Sequence, residues 1–240
     1  MNGKSVSASA ILGITLACGI VLGGYLLSRA LYEVRAADRF VTVKGLAEQI
    51  VDADLAVWPL TIKETDNELA ALEKKLESSR RVIREFLLQA GFEEDALSEV
   101  PPQITDFQAE SYYQGRNERP YRYMAQTTIT LRSTDIVRVK KAMRQAQNLI
   151  SKGVVLTAQN YPNQTEFLFT GLNSIKPAMV AEATRNARQA AEQFAKDSGS
   201  KVGSIRRATQ GLFSIRDRDR NTPDKKKVRV VTTVEYYLED

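Results

Sequence analysis

The pattern of apolar and polar positions divides the chain into one long uncharged run and a series of amphipathic segments. From Ala8 to Leu27 no residue is charged, and Ile, Leu, Val, Gly and Ala dominate. That length suits a helix crossing the hydrocarbon core of a bilayer. Beyond it the pattern switches to periods of two and of about 3.6, the signatures of half-buried strands and amphipathic helices. Ala56, Trp58, Leu60 and Ile62 share one face of an expected strand, Ile50 to Ile62, paired as a hairpin with Arg39 to Glu48. Pro59 cannot donate to a ladder, which predicts that this strand lies at an edge or is bulged. Leu69, Leu72, Leu76, Ile83, Phe86 and Ala90 then recur at three- and four-residue spacing, with Ser79 as the polar exception. Thr65 and Glu68 fit a capping box at the start of that helix, and Gly91 supplies its stop.

Further strands are expected over Ile104 to Ser111 and Tyr121 to Arg132. In the second of these, Tyr121, Tyr123, Ala125, Thr127, Ile129 and Leu131 alternate with more polar neighbours, as in a half-buried antiparallel strand. A second helix starts near Thr134-Asp135, buries Ile136, Val139, Met143, Ala146 and Ile150, and ends at Gly153. A third strand pair covers Val154 to Tyr161 and Glu166 to Gly171. A third helix starts near Ser174 with Pro177 in its first turn, where proline is tolerated, and its stripe is Met179, Ala183, Ala187, Ala190 and Phe194. The last pair is Ile205 to Ile215 and Val228 to Leu238. In its final strand Val228, Val230, Thr232, Val234 and Tyr236 face the helices, and its backbone edge is open for a partner. A helix followed by two strands thus occurs three times after an opening hairpin. The fold class expected is α+β: helices packed on antiparallel sheet built from hairpin–helix units, preceded by one transmembrane helix. The organisation is a tail over residues 1–7, an anchor over 8–28, a linker over 29–38 and one domain over 39–240.

The anchor has two readings. A cleavable signal peptide has a shorter apolar region, about 7–15 residues, which favours retention. Val34-Arg35-Ala36 nevertheless offers small residues at a cleavage spacing. Cys18 fits a lipobox poorly after Thr15-Leu16-Ala17, and reads as a thiol buried in a membrane helix. Gly19 and Gly23 form a small-xxx-small pair of the kind that packs anchors together, though such pairs also arise by chance. Counting Arg29, Arg35 and Arg39 places their side in the cytoplasm, but a long following domain translocates largely regardless of such charge.

Composition narrows the chemistry. The 240 residues hold no histidine and one cysteine. Zinc sites of His and Cys, Ser-His-Asp and Cys-His catalysis, and an intrachain disulfide are therefore excluded. The net charge of +5 is mild and suits a solvated surface better than a polyanion site. Asp52 and Asp54 lie two apart and share a strand face, so a metal or acid–base pair is conceivable there; charge beside a turn is the simpler reading. Tyr112, Tyr113, Arg116, Arg119, Tyr121 and Arg122 interleave aromatic and basic groups, as single-strand nucleic-acid sites do. An exported domain rarely meets nucleic acid, so an exposed loop is favoured. Arg216 to Arg229 carries seven cations diluted by Asp217, Asp219 and Asp224. Such a run touches anionic lipid or, more commonly, forms a solvated hairpin loop. Trp58 reads as core. Asn163-Gln164-Thr165 matches a glycosylation sequon. No catalytic, cofactor-binding or metal-ligating residue is assigned, and no cofactor is expected.

The chain resembles the SIMPL-domain family of bacterial envelope proteins over nearly all of Phe40 to Glu239. The resemblance rests on Val41-Thr42-Val43-Lys44-Gly45, on Ala53-Asp54-Leu55-Ala56, and on Gly91 with Leu97-Ser98 and Tyr121-Arg122-Tyr123. It continues through Glu182 to Ala191 and the turn Ser198 to Gly203. Ala47 stands where the family often has a second glycine, and Ala53 where it usually has proline. The resemblance implies an exported or periplasmic place, an α+β fold, ring-like oligomers in some members and a loose link to envelope or oxidative stress, with no established catalytic residue. Three roles follow: a non-enzymatic envelope protein, anchored in the inner membrane with its domain in the periplasm, that self-associates; a binding or chaperone-like module for a lipid, peptide or misfolded protein; or an enzyme using carboxylate, tyrosine or serine, for which no motif speaks. The partners expected are the membrane and further copies of the chain, not nucleic acid. If the anchor is retained, the intact mass of protein purified from membranes includes residues 1–36; a mature start near Ala37 overturns that expectation.

Overall fold

The computed structural model describes residue 13 and residues 16–29, 39–109, 120–157 and 164–239. Residues 16–29 are helical (α1) and exposed. Among the described residues no helix is long and apolar enough to cross a membrane. Part of the expected anchor lies outside those residues, as does most of the linker.

The remaining elements in chain order are β1 (Phe40–Asp52), β2 (Leu55–Asp66), α2 (Leu69–Gln89), β3 (Leu97–Glu99), β4 (Gln103–Asp106) and β5 (Tyr123–Ser133). They continue with α3 (Ile136–Gln145), α4 (Asn148–Ser151), β6 (Glu166–Leu168), α5 (Leu172–Asp197), β7 (Lys201–Gln210), β8 (Ser214–Asp217) and β9 (Lys225–Glu239). The fold is α+β, as expected. The strands form two sheets, one in the order β3-β5-β2-β6 with β4 also on β5, the other in the order β1-β9-β7 with β8 also on β9. The chain divides into two compact units. One contains residues 49–176 and 214–228; the other is discontinuous and contains 1–48, 177–213 and 229–240.

The larger unit is built on β2 and β5, which pair antiparallel from Ala56↔Ser133 to Asp66↔Tyr123. The faces expected from alternation are the ones buried: Trp58, Leu60 and Ile62 on β2, Ala125, Ile129 and Leu131 on β5. Leu72, Leu76, Ile83 and Leu87 of α2 close over them. The polar exception in that stripe is satisfied, because the Ser79 hydroxyl donates to Glu64 Oε1 at 2.6 Å. The expected capping box does not form, since Thr65 still belongs to β2. Instead Asp66 Oδ1 accepts the N–H groups of Asn67 and Glu68 at 2.7 and 3.0 Å.

Pro59 lies on an inner strand, flanked by β5 and β6, and not on a sheet edge. Its position is still explained by its missing donor. The Val100 N–H to Thr128 O bond of 3.1 Å turns Thr128 toward β3, so Ile129 and its partner Leu60 exchange the β2–β5 bonds. Pro59 therefore points toward the β6 side, where pairing has already ended at Val57. On the far side of β5 the outer strand is broken at Pro101-Pro102, and Thr127 Oγ1 donates to Val100 O at 2.6 Å across the break.

The smaller unit packs α5 on its sheet, with Val41, Ala187, Ala191, Val234 and Tyr236 buried together. The buried row of α5 is Met179, Ala183, Ala187, Ala191 and Ala195. The expected Ala190 is exposed, and Phe194 is 55% exposed. The reason is Gly45. A Cβ there would stand 1.8 Å from Ala183 O and 2.5 Å from Ala187 N, so helix and strand backbones touch. Only the small-residue row at four-residue spacing permits that approach. Asn186 Nδ2 donates to Leu46 O at 2.7 Å beside it.

Three further expectations change. β1 and β2 are not a hairpin; they belong to different sheets. Val154 to Tyr161 is no strand over its described part, which supplies one bridge, Leu156 to Ile62. The second helix breaks at Ala146, so Leu149 is buried and Ile150 is 66% exposed. The repeated pattern occurs in full twice, as strand, helix, interrupted strand and long central strand: β2-α2-β3/β4-β5 and β1-α5-β7/β8-β9. Gly91, Gly153 and Gly199 stop α2, α4 and α5 at φ 87°, 80° and 69°, and the next residue's N–H reaches back to Leu87, Leu149 and Ala195.

Gly45→Ala should destabilise the smaller unit by about 3 kcal/mol or more, since the added methyl meets the backbone of α5 at both Ala183 and Ala187. A thermal melt that matches the parent would show that the contact relaxes.

Candidate functional site

The carboxylates of Asp52 and Asp54 do not converge. Asp52 ends β1 and pairs with Lys225. Asp54, in the turn that follows, accepts the N–H groups of Thr170 and Gly171 at 2.8 and 3.0 Å, just before α5. Its own N–H donates to Leu168 O at 2.9 Å. This is a brace between two chain segments, with a carboxylate placed at the helix end that favours negative charge. Among the described residues no three side chains of the metal-ligating kind come together.

The charged stretch from Arg216 folds into the β8–β9 turn, and its three carboxylates are all taken up in ion pairs. Lys226 pairs with Asp217, Arg218 with Asp219 at 3.0 Å, and Lys140 with Asp224 at 2.7 Å. The Thr222 hydroxyl, then the Arg218 guanidinium, hold the Asp219 carboxyl down to about 2. Lys140 likewise lowers Asp224. Arg229 lies 3.5 Å from Glu48 in the smaller unit. The stretch is thus a hairpin turn, as its commoner reading holds, with, among the described residues, two ion pairs inside it and three to residues elsewhere in the chain.

Of the aromatic–basic stretch, Tyr112, Tyr113, Arg116 and Arg119 lie outside the described residues. Tyr121 packs on Phe107 with ring centroids 5.8 Å apart. Arg122 pairs with Asp106 at 2.9 Å and covers the Tyr123 ring at 4.7 Å. Both side chains therefore brace the strand that they precede. Trp58 is core, 1% exposed. Cys18, Gly19 and Gly23 lie on α1, with no atom of another segment within 4 Å of either glycine's Cβ position. Asn163 lies outside the described residues.

The arrangements able to take a partner are backbone edges. β7 borders its sheet, and eight of its ten residues are exposed. The Gly211 N–H to Val231 O bond of 2.8 Å sets the register, so Arg207 and Thr209 bond β9 while Ala208 and Gln210 turn their backbone groups outward. The expected open edge on β9 is not there: β9 is central, between β1 and β7, although its apolar face is buried as expected. In the larger unit β4 pairs, among the described residues, only with β5, and between β4 and α2 runs a groove of about 640 Å³. Its floor is Leu72, Leu76 and Ala125, and Leu69 and Ile104 flank it, 51% and 56% exposed. Pattern reading missed this groove. Leu69 belongs to the apolar stripe, and only the double proline Pro101-Pro102, which shortens the covering strand, hints that it stays open.

Two antiparallel sheets with helices packed on them define an α+β protein. The chain belongs to the SIMPL family, described as proteins of unknown function (DUF541), whose model matches residues 41–236. No characterised protein matches the chain in a comparison of sequences.

Because Asp219 is held below its ordinary value, its contribution to stability is complete above that value, near pH 4, and disappears as pH falls through about 2. A carboxyl NMR titration should place its midpoint near 2, and Thr222→Val should move it upward. An ordinary midpoint in the parent would show that the turn is not ordered as described.

Proposed function

We propose that this chain is a non-enzymatic protein of the bacterial envelope, held in the inner membrane by residues 8–28 with its folded part in the periplasm, and that it works by self-association. The observation that supports the reading is the open edge of β7, ten residues long, with outward backbone groups at Ala208 and Gln210. Edges of that length pair with another chain unless they are blocked. Anchoring confines copies to two dimensions and raises their effective concentration. An absence of histidine and of any paired thiol speaks against catalysis by the common nucleophiles. A stress-related role is consistent with the family resemblance and with no residue in particular.

Light scattering on the full chain in mild detergent should report a discrete oligomer at micromolar concentration. Ala208→Pro removes an outward donor without touching the ladder to β9, so it should shift the mass to the monomer while leaving the melting temperature within a few degrees. A monomeric parent across a wide concentration range, or an oligomer indifferent to the substitution, overturns the proposed contact.

The binding-module role is the second reading, supported by the groove beside β4.

A further inference from the structure

We infer that the larger unit takes up an extended, acidic–apolar peptide segment, added as a strand to the outer edge of β4 with its side chains in the groove against α2. This deepens the binding-module reading and is independent of self-association through β7.

The backbone selects the ligand class. The Phe107 N–H to Arg122 O bond of 2.9 Å fixes the β4–β5 register, so Gln103 and Thr105 exchange hydrogen bonds with β5. The N–H and C=O of Ile104 then point away from the sheet, with no partner among the described residues. An outward donor and acceptor on one residue are matched by the backbone of another extended chain. The side chain of Ile104 lies opposite Ala125, on the sheet face covered by α2, so a strand added at this edge sends alternate side chains into the groove. A volume of about 640 Å³ holds several such side chains, and the floor of Leu72, Leu76 and Ala125 is apolar.

Charge on the helix side sets the composition. Arg80 is occupied by Glu77 and Glu99, and Lys75 by Asp66. That leaves Lys74 and Arg81 on the exposed rim without an ion pair among the described residues, against one such carboxylate, Glu73. Two cations facing one anion favour a peptide that brings carboxylates. A lipid chain has no use for the outward amide and carbonyl of Ile104.

The test uses the full chain in lipid nanodiscs and a defined probe: fluorescein-labelled, reduced and carboxymethylated α-lactalbumin, a permanently unfolded acidic chain. Fluorescence anisotropy should show saturable binding. Ile104→Pro removes the outward N–H and keeps the bonds to β5, as Pro59 does naturally on β2. It should weaken binding about tenfold, the equivalent of one lost hydrogen bond in a desolvated edge. The double variant Lys74→Glu and Arg81→Glu lies on an exposed helix face, folds as the parent does, and should weaken binding and flatten its salt dependence. If Ile104→Pro fails to melt cooperatively, the double variant alone decides. Absence of saturable binding by the parent, or binding unchanged in the folded variants, overturns the inference. Loss of self-association in Ile104→Pro without any probe binding also overturns it, and assigns the edge to a second copy of the chain.

Discussion

The smaller unit depends on one place where two backbones meet with nothing between them. Gly45 of β1 lies against the carbonyl of Ala183 and the amide of Ala187, closer than any side chain would allow. Close-packed interiors tolerate little change in volume, so this contact dictates what surrounds it. α5 must present a row of small residues there, which explains why Ala183, Ala187, Ala191 and Ala195 are buried while the larger Phe194 is turned out. Asn186 fixes the helix along the strand through the Leu46 carbonyl. Two stretches that carry the family resemblance, Val41 to Gly45 and Glu182 to Ala191, are the two sides of this contact. The contact couples the two stretches, because neither can gain volume alone.

Both sheets face a second constraint, the unpaired backbone of their outer strands. The larger unit uses proline on the side where no ladder bond is lost. Pro59 sits where β6 has ended, and Pro101-Pro102 splits the outer strand into β3 and β4. The four-stranded sheet is interrupted at a corresponding place, between β7 and β8, without a proline. β7 instead carries Lys201, Arg206 and Arg207, charges that discourage indiscriminate pairing and leave a partner of suitable shape possible. An edge guarded by charge and one broken by proline are the two surfaces on which the proposed contacts rest.

Local periodicity made much of this visible in advance. The buried faces of β2, β5 and β9 and the stripe of α2 follow from alternation and from three- and four-residue spacing, because those patterns report burial directly. Pairing does not. β1 and β2 read as a hairpin since they adjoin in sequence, yet Asp54 bonds to Thr170 and Gly171 and the chain passes from one sheet to the other. The centrality of β9 was equally hidden, because a last strand looks like an edge until its partner β1, nearly the whole chain away, is known. In α5 a period of 3.6 placed Ala190 and Phe194 inside. The close approach to Gly45, a tertiary fact, selected a strict spacing of four. Two of the candidate stretches turned on the same question of pairing. Asp52 and Asp54 share a strand face only if the strand continues, and it stops between them; of the charges after Arg216, the hairpin alone joins Lys226 to Asp217 and Arg218 to Asp219, whereas Asp224, Lys225 and Arg229 find Lys140, Asp52 and Glu48 far off in sequence.

The order of the segments gives Asp54 a role that its lack of chemistry conceals. Leu46 and Asn186, on the two sides of the backbone contact, are 140 residues apart in sequence. Bringing them together from an open chain carries the entropy of a very long loop. Asp54 and Gly171, 117 residues apart, lie between them and are joined within the larger unit. Once that unit has folded, the chain still free between the two sides of the contact is only about two dozen residues. By the logarithmic dependence of loop entropy on length, this lowers the cost of closing the contact by about 1.5 kcal/mol. Part of that remainder is the first turns of α5, whose start the Asp54 carboxylate favours through the amides of Thr170 and Gly171. The carboxylate that resembled half of a catalytic pair therefore acts on the chain itself, clamping the base of the inserted unit so that β1 and α5 emerge near one another along the sequence that remains.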